Sequence, residues 1–281
     1  MDFLIWFFMF AFGTIIGSFL NVVILRYNTG EPIVNGKSAC FSCAKKLSWY
    51  ELIPIFSFAA LRGKCGKCKS KISWQYPLVE FFTGLLFLAV YLKLNGFYFL
   101  NSNNLFSLGN SVSKYSYFYY LAVFSILIVI TVYDLRHKII PDLLVFSFAF
   151  ISLIYLVASK TTSDVVLLAN WDLLAGPILA TPFFLMWLLS GGRWMGLGDA
   201  KLALGMGWFL GLISGASAVI FGFWIGAVVS IFLLLAQKLN LSGKKLTIKS
   251  EIPFAPFLIL GLLAVFFFDF DVMSLASLFS L

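Results

Sequence analysis

Apolar residues run along this chain in blocks too long for the alternation of a half-buried strand or the one-sided stripe of a surface helix. Eight blocks stand out, at about 3–25, 77–94, 116–133, 143–158, 171–189, 200–214, 216–236 and 252–268. Roughly 20 apolar residues at 1.5 Å each cross a hydrocarbon core of about 30 Å, and a lipid-facing backbone must satisfy its own hydrogen bonds. The pattern therefore predicts an all-α polytopic membrane protein, a bundle of about eight transmembrane helices. The sixth and seventh blocks nearly merge, but 200–236 is too long for one crossing and Ser214-Gly215 offers a turn. Phe3–Leu25 is too long for a signal-peptide apolar region and has no basic flank before it, so a retained span is expected. Gly13-x3-Gly17, Gly207-x3-Gly211-x3-Gly215 and Gly222-x3-Gly226 read as helix-packing positions. No repeat of 20–50 residues is evident.

Composition agrees: 61% of residues are hydrophobic and 11% charged, against about 25% charged in soluble domains. A net charge of +8 would suggest nucleic acid in a soluble protein; here it reads as topology. With the N-terminus outside, 17 of the 20 Lys and Arg residues fall in inner loops and only Lys93, Lys114 and Lys160 outside. Both termini are then outside, and the largest inner loop is 26–76. The largest outer loop, about 95–115, is rich in Asn, Ser and Gly and is expected to be flexible.

The polar insert 26–76 divides the chain into a first helix, 1–25, the insert itself, and a helical bundle, 77–281. It holds all four cysteines, in Cys40-Phe41-Ser42-Cys43 and Cys65-Gly66-Lys67-Cys68, with 21 residues between the pairs. Two Cys-x2-Cys knuckles make a closed tetrahedral zinc site, and a cytoplasmic side is too reducing for disulfides. Four thiolates leave zinc no open position, so the metal is expected to be structural. Lys45, Lys46, Lys64, Lys67, Lys69 and Lys71 would help offset the dianionic site.

Chemistry must then come from carboxylates at membrane depth, where an ionisable group is a functional candidate. The candidates are Glu80, Asp134, Asp142 and Asp199. Asp134 closes the third block and Asp199 opens the sixth, and the predicted topology sets both at the same membrane face. Two carboxyls sharing a site hold one proton between them: the ionised one draws a proton from water and the protonated one polarises an amide carbonyl. Gly196 and Gly198 would let backbone approach the other acid or the substrate closely. Alternatively Asp199 caps its helix and Asp134 is a solvated helix end. His137, the one histidine, reads as an interfacial or solvated residue, and no serine-hydrolase, zincin or P-loop motif is present.

Together "GSFLNVVILR" (17–26), the paired cysteine knuckles, "YPLVE" (76–80), "YDLRHKIIPD" (133–142) and "GLGDAKL" (196–202) resemble the bacterial type IV prepilin peptidases. The resemblance implies a GxGD-type membrane aspartyl protease of the inner membrane with Asp134 and Asp199 as its catalytic pair, supported by Gly196 and Gly198. It implies cleavage of the short basic leader of type IV prepilins or pseudopilins after a glycine, at the cytoplasmic face. It also implies methylation of the new N-terminus with S-adenosylmethionine, an activity associated with the cysteine insert, in the service of a type IV pilus or type II secretion system. Glu80 then reads either as a methyltransferase residue or as a buried polar contact between helices. Asn21 and Arg26 read as structural or substrate-positioning, and Asp142 lies outside the pair. "PFAPFL" (253–258) matches a Pro-Phe-Gly-Pro segment with Ala255 in place of glycine. The partners implied are prepilin substrates and the bilayer, and no nucleic acid. An ion-coupled transporter using Asp134 and Asp199, a zinc-loop assembly scaffold and a presenilin-like intramembrane protease are the competing readings.

Overall fold

The computed structural model describes residues 2–36, 38–95, 114–159, 171–238, 253–270 and 272. Most of the polar loop at about 95–115 lies outside them. Helices α1 (Asp2–Arg26), α3 (Gln75–Leu94), α4 (Lys114–His137), α5 (Asp142–Ala158), α6 (Trp171–Ser190), α7 (Leu197–Leu210), α8 (Leu212–Lys238) and α9 (Ala255–Phe268) answer the eight apolar blocks one for one. The insert adds a single 3₁₀ turn, Trp49–Leu52, and the short α2, Phe56–Ala60. Among the described residues there is no strand, only two isolated bridges.

Five helices are long and apolar enough to cross a membrane: Phe3–Arg26, Gln75–Leu94, Ser116–His137, Asp172–Ser190 and Leu212–Ala236. Helices α5 and α9 are apolar but shorter. Helix α7, at 14 residues, reaches only about 21 Å and so ends short of a full crossing.

The break after α7 falls at Gly211 and not at Ser214-Gly215. Gly211 has φ +82° and ψ 178°, an extended positive-φ conformation open at low cost to glycine alone. Nothing packs within 4 Å of its missing side chain, so Gly211 is a turn and not a packing position. Gly215 lies inside α8, where an added Cβ would sit 3.0 Å from Leu179 and 3.6 Å from Gly207.

The chain divides into two compact units, 1–129 and 130–281, and α4 runs across the boundary. In the first unit α1 packs along α3 at backbone distance. A Cβ on Gly13 would lie 2.7 Å from the Gly84 Cα, and one on Gly17 2.7 Å from the Glu80 Cα. Asn21, 1% exposed, closes this contact by donating to the Gly17 and Tyr76 carbonyls, while Gln75 donates to its side-chain oxygen.

The second unit is built around α7. Pro177 inside α6 has no N–H for the carbonyl four residues back, that of Leu173. The Trp208 indole of α7 donates to that carbonyl at 2.9 Å, so a proline fault and a tryptophan together lock α6 to α7. Gly176 makes room for the ring, which an added Cβ would meet at 2.7 Å. On another side Gly205 lies against the Phe148 ring of α5, and Gly222 and Gly226 of α8 lie against Phe257 of α9. These contacts hold the start of α7, and with it Asp199, in a fixed place.

Candidate active site and metal centre

Asp134 lies in the last turn of α4 and is 4% exposed; Asp199 lies in the first turn of α7 and is 7% exposed. The two carboxylates are within electrostatic reach of each other. Each meets the N-terminus of a helix. Asp199 is the third residue of α7, and it accepts the backbone N–H of Gly196, the residue capping that helix. Asp134 accepts the backbone N–H of Ala255, the first residue of α9. Helix N-termini carry partial positive charge, which offsets part of the cost of burying the two carboxyls. Asp134 keeps one oxygen, Oδ2, buried with no hydrogen-bond partner. Asp199 is thus a helix cap and a member of a pair at once.

The two glycines differ. A Cβ on Gly198 would lie 2.8 Å from the Ile140 Cβ, so this glycine lets α7 begin against the loop that follows α4. Gly196 is extended (φ −75°, ψ 147°), and its missing side chain meets nothing nearer than the Asp199 Oδ2 at 3.7 Å. Ala255 is buried, begins α9 and is not among the residues with positive φ, so alanine serves there without strain. Asp142 pairs instead with Lys201 at 2.6 Å, joining α5 to α7 two residues beyond Asp199. His137 is exposed and stacks on Tyr133 of its own helix, with ring centroids 4.2 Å apart.

The four cysteine sulfurs of the insert lie within 4.8 Å of one another. Cys40 and Cys68 are 3.8 Å apart, about the edge of a tetrahedron with zinc–sulfur bonds near 2.3 Å and well beyond a disulfide. Backbone N–H groups of Cys43 and Ser42, with the Ser70 hydroxyl, lower the Cys40 thiol to about 6. The Ser70 hydroxyl lowers Cys68 as well. At Cys43 the Lys45 N–H pulls downward, but burial and the neighbouring thiols prevail and raise it to about 11. Two thiols shifted toward the thiolate by their hydrogen bonds suit a divalent thiophilic ion, and the donor set fits structural zinc.

The knuckles are copies of each other, which corrects the expectation of no repeat. Cys40 N–H bonds the Lys45 carbonyl and Ala44 N–H the Cys40 carbonyl; Cys65 with Ser70, and Lys69 with Cys65, repeat this 25 residues on. Ala44 and Lys69 share a positive φ, and the bridges Ala39–Lys46 and Lys64–Lys71 correspond. The signal is in the sequence: Cys-x2-Cys-x2-Lys-Leu-Ser-Trp at 40–49 and Cys-x2-Cys-x2-Lys-Ile-Ser-Trp at 65–74. It is too short, and too full of lysine and serine, to stand out without the matched hydrogen bonds.

Sequence reasoning also missed Glu51. Its buried carboxylate accepts from Lys45 at 2.8 and 3.0 Å and from the Ser48 N–H at 2.9 Å. It lies over Gly66 of the second knuckle, where a Cβ would come within 3.1 Å. The Lys45 hydrogen bond holds Glu51 below the usual carboxylate range, and Glu51 in turn raises Lys45, which also feels the Cys65 charge. The legible signal was the Ser-x-x-Glu capping box at 48–51. Glu80, 6% exposed, accepts the Ile55 N–H at 2.8 Å and bonds Ser18. Arg26 folds the following loop around itself, bonding the Pro32 carbonyl and pairing with Glu31 at 3.3 Å.

Comparison with known proteins sorts these features into a family. Residues 11–94 match the bacterial peptidase A24 N-terminal domain, and residues 121–231 match the type IV leader peptidase family. A protein of Klebsiella pneumoniae called prepilin leader peptidase/N-methyltransferase is 30% identical over 213 residues, covering 73% of this chain and 84% of that one. This chain belongs to the type IV leader peptidase family. Other relatives in that family carry the same name. One from Myxococcus xanthus is 32% identical over 82% of this chain, which spans 63% of that relative's length. One from Bacillus subtilis is 29% identical over 95% of each chain. The family's N-terminal match takes in the cysteine insert and Glu80, and its peptidase match takes in Asp134 and Asp199. No solved structure matches the chain significantly.

Proposed function

We propose that the protein removes the leader of type IV prepilins or pseudopilins with the Asp134–Asp199 pair and methylates the new N-terminus. The observation that carries the peptidase assignment is the convergence of two buried carboxylates, one with an unpartnered oxygen, inside the segment matched by the leader peptidase family. The ionised member takes a proton from water, and that water adds to the carbonyl of the scissile bond. The protonated member donates to the carbonyl oxygen, and the leaving amine then takes a proton. The Ala255 and Gly196 N–H groups hold the two carboxyls in place while the proton moves.

Cleavage falls after a glycine at the cytoplasmic face. The asymmetry of Lys and Arg supports that side, with both termini outside and the cysteine insert within the cytoplasm. The insert holds structural zinc through Cys40, Cys43, Cys65 and Cys68, and a closed shell of four thiolates leaves the ion no part in the chemistry. S-adenosylmethionine supplies the methyl group as a second substrate, and the insert serves that half of the activity. Glu80 belongs to the seating of the insert, since its carboxylate is taken up by Ile55 and Ser18.

Purified protein incubated with a prepilin tests the peptidase assignment. One cut after the leader glycine is expected, lost in both Asp134→Ala and Asp199→Ala. Cleavage surviving in both variants overturns it.

A further inference from the structure

The segment Trp49–Phe56, "WYELIPIF", presents its apolar side chains outward. Trp49 is 78% exposed and Phe56 74%, with Tyr50, Leu52 and Ile53 also exposed. Soluble monomers rarely expose large contiguous apolar patches, so five outward apolar side chains within eight residues indicate a non-aqueous neighbour.

Three further observations say what that neighbour is. First, the segment is tied to a membrane helix at a definite depth. Ile55 N–H donates to Glu80, the sixth residue of the candidate span Gln75–Leu94, about 8 Å beyond its start. That depth is the one at which interfacial segments bury their apolar faces. The bonded residue has a strained backbone. Ile55 has φ 61° and ψ −51° and forms a γ-turn closed by the Phe56 N–H on the Pro54 carbonyl, a conformation rare for a β-branched residue.

Second, the insert enters and leaves through membrane helices at both ends, α1 and α3. Trp74, 70% exposed, stands immediately before α3, where a tryptophan belongs to the interfacial aromatic belt. The knuckle repeat makes Trp49 its counterpart, 25 residues earlier. Third, the only acids between residues 27 and 74, Glu31 and Glu51, are both held in ion pairs. Lys46, Arg62, Lys64, Lys67, Lys69 and Lys71 are exposed. The insert therefore offers six cations, the charge that an anionic lipid surface attracts.

We infer that the zinc insert is seated on the bilayer, with Trp49–Phe56 entering the interface of anionic phospholipid and Glu80 fixing the depth through Ile55. The insert is then an interfacial module, and not a domain standing free in water.

The full-length protein in nanodiscs tests this. Lipids brominated just below the headgroup quench tryptophans at that depth, and the Trp49 contribution is the difference between wild type and Trp49→Phe. In phosphatidylcholine with phosphatidylglycerol, Trp49→Phe is expected to remove a large share of the quenchable emission. Glu80→Gln, which weakens the tie while keeping the shape, should lower the Trp49 quenching. Replacing Lys64, Lys67, Lys69 and Lys71 with Gln should make that quenching independent of phosphatidylglycerol. A Trp49 emission untouched by brominated lipid but quenched by aqueous acrylamide overturns the inference. So does one shielded from acrylamide only when a prepilin is added, which would make the segment a substrate surface.

Discussion

Asp134 and Asp199 stand 65 positions apart in sequence and are held by groups from α4, α7, α9 and the loop before α7. The four cysteines come from 29 consecutive positions and are held by hydrogen bonds that never leave the insert. One site is non-local and carboxylate-rich, the other local and thiol-rich, and both crowd acidic groups together. Helix N-termini receive the carboxyls of the first, and backbone and seryl hydrogen bonds hold the sulfurs of the second. The two should therefore fail separately: damage to the bundle should spare the insert, and damage to the insert should spare the bundle.

The largest separation is expected at the pair itself. Asp134→Ala or Asp199→Ala should lower cleavage by at least about 10³-fold, and the double variant little further, because residues that act as a unit are not additive. Zinc content, read by metal analysis, should not change; a fall in zinc would break the comparison. Next comes the insert. Replacing Cys40 and Cys65 together should take zinc from about one per chain to none and abolish methylation, with cleavage reduced only a few-fold. Equal loss of both activities would make the insert a general folding element.

A smaller effect sharpens the bundle side. Gly198→Ala places a methyl 2.8 Å from the Ile140 Cβ, an overpacking of about 1–3 kcal/mol that shifts the start of α7. Cleavage should drop by about tenfold, while Gly196→Ala, at an open position of ordinary φ, changes it by less than about twofold. Equal effects at the two glycines would refute their assignment to different roles.

The smallest effect is Glu51→Gln. Glu51 is held below its ordinary range near pH 4.3, so its contribution is present above that and lost as pH falls through the lowered value. Lys45 is raised, so its contribution is present below about pH 10.4 and lost above its raised value. At pH 7 both act, and the variant should release zinc to a chelator faster than wild type. The difference should shrink as pH falls below the ordinary carboxylate range and vanish only once Glu51 is protonated, below its lowered value; one that persists there contradicts the ion-pair account.

Much of this was legible in the chain because bilayers impose a simple rule, a long apolar run for each helix. All eight blocks became helices, yet their ends followed local chemistry that hydropathy does not weigh. The break at Gly211 depends on a positive φ, and the shortness of α7 follows from it. The cysteine cluster was legible because its spacing is its geometry. Asp134 and Asp199 could be proposed from their shared face, but the groups that hold them could not. Ala255 reaches Asp134 from a helix 121 positions away, and the use of Gly198 depends on where Ile140 falls. Glu51 and the duplicated knuckle were written in plain motifs and became readable only once hydrogen bonds matched them.

The central claim is that one chain carries two separable sites, and one mass spectrum of a prepilin tests it most directly. The prepilin is incubated with S-adenosylmethionine and, in parallel, with wild type, Asp199→Ala or the Cys40 and Cys65 double replacement. Leader loss and the added methyl group are read as separate mass changes. The account predicts both changes with wild type, neither with Asp199→Ala, and leader loss without methyl with the cysteine variant. Methylated product from the cysteine variant, or cleaved product from Asp199→Ala, would contradict it.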